Sequence, residues 1–198
     1  MTTTAAKDRK SAERAARKEL ILQGALTVFK EQGLEGAKID EIARVAGFGK
    51  ATLYYYFSSK EEIFNALMLY GWMNLWNELE EFAVGQDDPK GTFIAMLKRI
   101  VECVNTDRAL YEFLFQAPQS FSTEEKLKSE WKSYQTRLYN MLMELIAEGI
   151  EKGQFPQMEP RLIMKAMGGL FHGLVFWGND RAEVTENDIE EMLGSLLG

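Results

Sequence analysis

The chain has 198 residues, 46% of them hydrophobic, a formal net charge of −7, one cysteine and one histidine. That length supports a buried core of one or two compact units, and the lone Cys103 excludes an internal disulfide framework and suits a reducing compartment. No apolar run approaches the roughly 18 residues a membrane span needs, and the polar, charged N-terminus is unlike a signal peptide, so a cytoplasmic protein with no membrane role is expected.

Only four prolines and long stretches without strand-like alternation predict an all-α protein. Residues 1–15, with Lys7, Arg9, Lys10 and Arg14, read as a flexible basic arm that either grazes phosphates or only solubilises the chain. Leu22, Ala25, Leu26 and Phe29 then stripe a first helix, and Gly33 follows as its C′ residue. Ile39, Ile42, Ala43 and Ala46 mark a second, short helix that stops at Gly47, where a left-handed backbone is free of steric cost, with Phe48 as an apolar plug under the turn. Lys38 stands where a capping hydroxyl would open that helix. Gly49 serves as the next N-cap, and Leu53, Tyr56 and Phe57 turn the third helix's inner face back on the second.

Two helices crossing at about a right angle over a turn of three or four residues need a small side chain at the contact, which Ala43 supplies. This is the pattern of a helix-turn-helix, whose second helix lies in the major groove. Its core is read as Ile42, Ala43, Gly47, Phe48, Leu53 and Phe57. Lys50, Ala51, Thr52, Tyr54 and Tyr55 are left outward, a set suited to phosphate, thymine-methyl and base-edge contacts. An ordinary helical hairpin would show that face to solvent, but three successive tyrosines cannot all be core on one helix, so the exposed pair wants a partner.

Ser58 or Ser59 with Glu61 or Glu62 forms a capping box for a fourth helix that runs to about Phe82 and joins head to body. Lys60, beside that N-terminus, is read as a phosphate contact. Asp88-Pro89 starts a helix to about Val104, and another lies between Asp107 and Pro118. Ser122 with Glu125 caps a long helix to about Lys152, ended by Gly153. Pro160 opens the next, to about Gly178, and Thr185 begins the last, for about nine in all.

Residues 161–178 are apolar nearly all round, which requires partners on most sides, and glycine in a helix interior costs about 1 kcal/mol unless something approaches closely. Gly169, Gly173 and Phe176, with Ile189, Met192, Leu193 and Leu196 of the last helix, are therefore the candidate dimer interface, in the manner of a four-helix bundle. The alternative is a monomeric core. Trp72, Trp76, Met96, Phe113, Trp131, Tyr134, Met141, Met167 and Phe171 suit a permissive apolar pocket, to which His172 would add one polar anchor; each of them alone also suits plain packing.

The negative net charge conceals a split that fits this organisation. Residues 1–60 carry 11 basic against 7 acidic side chains and the remainder 12 against 23, giving +4 and −11. Positive charge thus sits at the head, where phosphates would use it, and the acidic body would repel DNA.

The segment ELILQGALTVFKEQGLEGAKIDEIARVAGFGKATLYYYFSSKEEIF, residues 19–64, resembles the TetR-type transcriptional regulators: the ALTVF of a first helix, the IA-x-x-AG corner, TLYYYF and the SKEE opening a fourth helix. The resemblance implies a homodimer with one DNA head per subunit and a helical effector-binding body. It also implies DNA contacts by Lys50, Thr52, Tyr54, Tyr55 and Lys60, and a head-core role for Phe57. The chain departs from the family pattern at Ala37 and Lys38, where a hydroxyl is usual, at Gly49 in place of serine, and at Tyr55 in place of histidine.

An enzyme reading fails on inventory. One histidine and one cysteine make no triad, G-x-S-x-G is absent, and the fragment GKAT lacks both the P-loop hydroxyl (Ala51) and its earlier glycine (Arg44). A carboxylate di-metal site is excluded by Gly169 three residues before His172. Neither catalytic residues, metal nor cofactor are expected. The domains read as arm 1–15, helix-turn-helix 16–62, and ligand-binding and dimerisation body 63–198. The expected function is that of a dimeric repressor released from double-stranded operator DNA by a small, largely apolar effector; a helical interaction adaptor without DNA binding is the competitor.

Overall fold

The computed structural model describes residues 2–83, 87–116, 130–177 and 184–197; the side chains of residues 2–6, 83, 186, 193 and 195–197 lie outside that description. Among the described residues there are nine α-helices and no strand. They are α1 (Thr2–Gly36), α2 (Ile39–Val45), α3 (Lys50–Tyr56), α4 (Lys60–Leu79, followed by a 3₁₀ turn Glu80–Ala83), α5 (Pro89–Thr106), α6 (Arg108–Gln116), α7 (Trp131–Glu151), α8 (Pro160–Phe176) and α9 (Glu186–Leu197). Among the described residues none of these helices is long and apolar enough to cross a membrane.

The helix α1 differs from expectation at its start. It reaches back to Thr2, through the segment read as a flexible arm. Ala5, Ala6, Ala12, Ala15 and Ala16 interleaved with Lys, Arg and Glu are strong helix formers, and Glu13 accepts a hydrogen bond from Arg17 one turn on at 2.7 Å. Local propensity therefore carries the helix outward from the core. Gly33 interrupts it at φ 67°, the positive-φ residue expected to end the first helix.

Other boundaries follow their capping chemistry. Ser59 Oγ accepts from the Glu62 amide at 3.2 Å while Glu62 accepts from the Ser58 amide at 2.6 Å, so the box at the start of α4 is closed from both sides. Asp88 accepts from the Gly91 amide at 3.1 Å with Pro89 in the first turn of α5, and Thr185 and Asp188 cap α9 reciprocally. The expected Ser122–Glu125 cap of α7 and Gly178 lie outside the described residues, and α8 ends at Phe176. α7 closes at Lys152 with Gly153 at φ 71°, and Phe155 folds back so tightly on Gly149 that a Cβ there would lie 2.2 Å from its ring.

The described residues form two compact units divided between Tyr70 and Gly71, inside α4, and not at the expected boundary after residue 62. The reason is packing: Ile63, Phe64, Leu67 and Met68 of α4 are buried, and the Phe64 ring meets Phe29 of α1 edge-to-face at 6.1 Å. The first unit closes over Ile21, Ala25, Val28, Ile42, Leu53 and Phe57, all buried. The second is a helical bundle whose core is drawn from one face each of α5 (Phe93, Met96, Ile100), α7 (Leu138, Ile146), α8 (Ile163, Met167) and α9 (Ile189).

Candidate nucleic-acid interface

The corner is built by the backbone. Gly47, at φ 75°, lets its own amide reach the Arg44 carbonyl at 3.2 Å and the Phe48 amide reach the Ala43 carbonyl at 2.9 Å. These two bonds satisfy the last carbonyls of α2 and turn the chain, a Schellman closure that a Cβ at position 47 would strain. Gly49 starts α3 in extended conformation, and no side chain caps it. Ile42, Ala43, Leu53 and Phe57 are buried and Phe48 is half-buried, as the motif requires. Behind the corner, Gly24 of α1 abuts Ala46: a Cβ on Gly24 would stand 2.8 Å from that of Ala46.

On the opposite face, Tyr54 is 48% and Tyr55 69% exposed, with Lys50 and Ala51 exposed and Thr52 half-buried. Tyr56 is half-buried and its ring meets Tyr55 edge-on at 5.1 Å. Lys50 does not project freely, because its ammonium is paired with Asp40 of α2 at 2.8 Å. The Asp40 hydrogen bond raises its pKa, so the charge is secure. Lys38 is exposed at the N-cap of α2 and makes no capping bond.

Lys60 departs from its expected role. Its ammonium donates to the carbonyls of Leu34 at 2.8 Å, Glu35 at 2.9 Å and Ala37 at 3.4 Å, a full set of partners for three N–H groups. It joins the start of α4 to the chain leaving α1. Arg14, read from the sequence only as part of a basic arm, places its guanidinium 5.8 Å from the Tyr55 ring centre and 6.0 Å from that of Tyr56, and Lys18, which sequence reasoning missed, lies 5.7 Å from the Phe57 ring. Their common helical phase was the available signal.

The second unit holds a largely apolar cavity of about 190 Å³ lined by Phe93, Phe115, Met164, Met167, Phe171 and His172, among others. Met167, Phe171 and His172 are thus expected pocket residues found in one wall. The rest fall elsewhere: Met96, Trp131 and Met141 are buried outside the lining, Phe113 is half-buried, and the Trp76 and Tyr134 rings both meet the Arg137 guanidinium, at 5.8 and 5.6 Å. Trp72 sits against Phe115 at 5.7 Å, one ring away from the lining.

Of the expected dimer residues, Phe176 is half-buried and lines the cavity, whereas Ile189 is wholly buried within the unit and so is not available to a second copy. An amphipathic α9 must give its most apolar position to its own bundle first. Met192 is half-buried, and the side chains of Leu193 and Leu196 lie outside the described residues. On α8, Gly169 and Gly173 meet nothing within 4 Å, and Leu162, Leu170 and Leu174 are exposed.

A Schellman-closed corner backing a short helix with two exposed tyrosines and a lysine defines a helix-turn-helix DNA-binding regulator. Residues 21–67 match the model of the bacterial regulatory proteins of the tetR family, and residues 86–197 that of the tetracyclin repressor-like C-terminal domain. The chain belongs to the TetR family of DNA-binding transcriptional regulators.

Among relatives, the biofilm operon icaADBC negative transcriptional regulator IcaR of Staphylococcus epidermidis is 28% identical over 130 residues, 64% of this chain and 67% of its own. The crystal structure of AibR in complex with isovaleryl coenzyme A and operator DNA superposes with TM-score 0.77 at 19% identity, covering 91% of this chain and 97% of that one. That of FadR from Bacillus subtilis with stearoyl-CoA gives TM-score 0.71 at 20% identity, covering 91% and 97%.

Proposed function

We propose that this regulator is a homodimeric repressor that reads operator DNA with the outer face of α3 and lets go when a small, largely apolar effector enters the cavity of the second unit. The observation that supports the reading most is the exposed Lys50–Tyr54–Tyr55 face, held outward by a corner whose other side is buried. Lys50 would exchange Asp40 for a phosphate, Thr52 and the two tyrosines would meet base edges and thymine methyls, and Ala51 would allow close approach. Lys38 would add a phosphate contact at the entry to α2.

The exposed Leu162, Leu170 and Leu174 on α8, with the unobstructed Gly169 and Gly173 on the same helix, support self-association through that helix with Met192, Leu193 and Leu196 of α9. Effector entry would change the separation of the two heads and so weaken simultaneous contact with successive major grooves. The acyl-coenzyme A molecules bound by AibR and FadR name a ligand class with an apolar tail, which the cavity's hydrocarbon lining suits.

The test is to select bound fragments from the source genome with the full-length chain and follow their affinity against salt. A steep fall of log affinity with log salt is expected, because phosphate contacts release counterions. Tyr55→Ala should weaken the selected fragments by about tenfold or more while leaving the dimer intact, since a base-edge contact is worth roughly 1–3 kcal/mol. Absence of any salt-dependent binding would support the adaptor reading instead.

A further inference from the structure

The apolar stripe of α1 that faces the first unit's core, Ile21, Leu22, Ala25 and Val28, continues backward at the same helical spacing through Lys18, Arg17, Arg14, Ser11, Lys10 and Lys7. One face of the rod changes from hydrocarbon to cation where it passes the edge of the core. Arg9 lies on the opposite face, about half a turn away. Because the helix is continuous from Thr2 to its break at Gly33, the cationic stripe is held on the side of α3, as the placement of Arg14 over Tyr55 and Tyr56 records.

Between the two helices lies an open groove of about 470 Å³, with Lys7, Lys10, Arg14 and Arg17 on one wall and Tyr55 and Tyr56 on the other. Its single carboxylate, Glu13, is paired with Arg17. A folded head gains nothing from collecting exposed like charges on one strip, since they repel.

We propose that this groove is a second DNA-contacting surface, which binds backbone phosphates of duplex DNA beside the base pairs that α3 faces. The inference rests on the reading of α3 given above. Charge complementarity selects a polyanion, and continuity with α3 through Tyr55, which belongs to both surfaces, selects the same duplex. Stretching over about 17 Å from Lys7 to Lys18, the strip is long enough to follow more than one phosphate.

The experiment compares the full chain with Lys7→Ala, Lys10→Ala and Arg9→Ala, each removing one exposed charge, on a labelled mixed-sequence DNA duplex titrated at rising potassium chloride. Circular dichroism confirms that helix content is retained. Lys7→Ala and Lys10→Ala are each expected to weaken binding about fivefold at moderate salt and to make the log–log salt slope shallower by about 0.9, the value for one lost phosphate. Arg9→Ala is expected to leave both unchanged. Equal behaviour of all three variants, with the unaltered chain still binding steeply, overturns this inference alone. No binding by the unaltered chain overturns the DNA reading and this inference with it.

Discussion

Gly24 of α1 and Ala46, the C-cap of α2, are packed so closely that a methyl group on Gly24 would stand 2.8 Å from the Ala46 Cβ and 2.9 Å from its backbone nitrogen. The helix-turn-helix is held against its bracing helix by close backbone approach at this point, beside the buried side chains of Ile21, Ala25, Val28, Ile42 and Leu53. Gly24→Ala must therefore displace the corner, and overpacking of this kind costs about 1–3 kcal/mol. Chemical denaturation should show that loss, together with weakened DNA binding.

In the proposed complex, Asp40 competes with phosphate for Lys50. The pair is exposed on both sides, so it adds little to stability. Asp40→Asn removes one negative charge beside the face proposed to meet DNA and releases the ammonium. The expected outcome is an unchanged melting temperature and several-fold tighter duplex binding at low salt, a gain that shrinks as salt is raised; fluorescence anisotropy across a salt series reads it.

Lys60 fastens the start of α4 to the carbonyls of Leu34, Glu35 and Ala37. Lys60→Ala leaves the partly buried oxygens of Leu34 and Ala37 and the exposed one of Glu35 without their donor, and loss of hydrogen bonds to a charged group costs about 1–3 kcal/mol. Thermal unfolding should report that loss, whereas the salt slope of DNA binding should stay the same. A slope shallower by about 0.9 would show that Lys60 reaches phosphate after all.

Leu170 is 42% exposed on the face of α8 whose glycines stand open. Leu170→Glu puts a charge on that face at modest cost to the subunit itself, because the side chain is already partly exposed. Light scattering after size exclusion should show a shift from dimer to monomer, and specific DNA binding should fall with it, since one head alone grips one half-site. A variant still dimeric would place the interface elsewhere.

What was legible in the sequence was whatever is settled within one or two turns of chain. The Gly47 turn, the serine–glutamate box at the start of α4, the Asp88-Pro89 start and the Thr185 start of α9 all depend on residues at most five positions apart, so spacing alone marked them, while the structure chose Ser59 and Glu62 for the box and paired Thr185 with Asp188. The outward tyrosines of α3 follow from the same arithmetic, as does the all-helical class.

Tertiary structure decided the contacts that span long stretches of chain. Lys60 reaches a carbonyl 26 residues away, Arg14 finds Tyr55 and Tyr56, and Ile189 disappears into its own bundle. The choice between phosphate ligand and backbone clasp, or between shared face and private core, depends on which surfaces meet when helices pack. No local pattern encodes that, because a lysine or an isoleucine at a given helical position looks the same until its neighbours arrive.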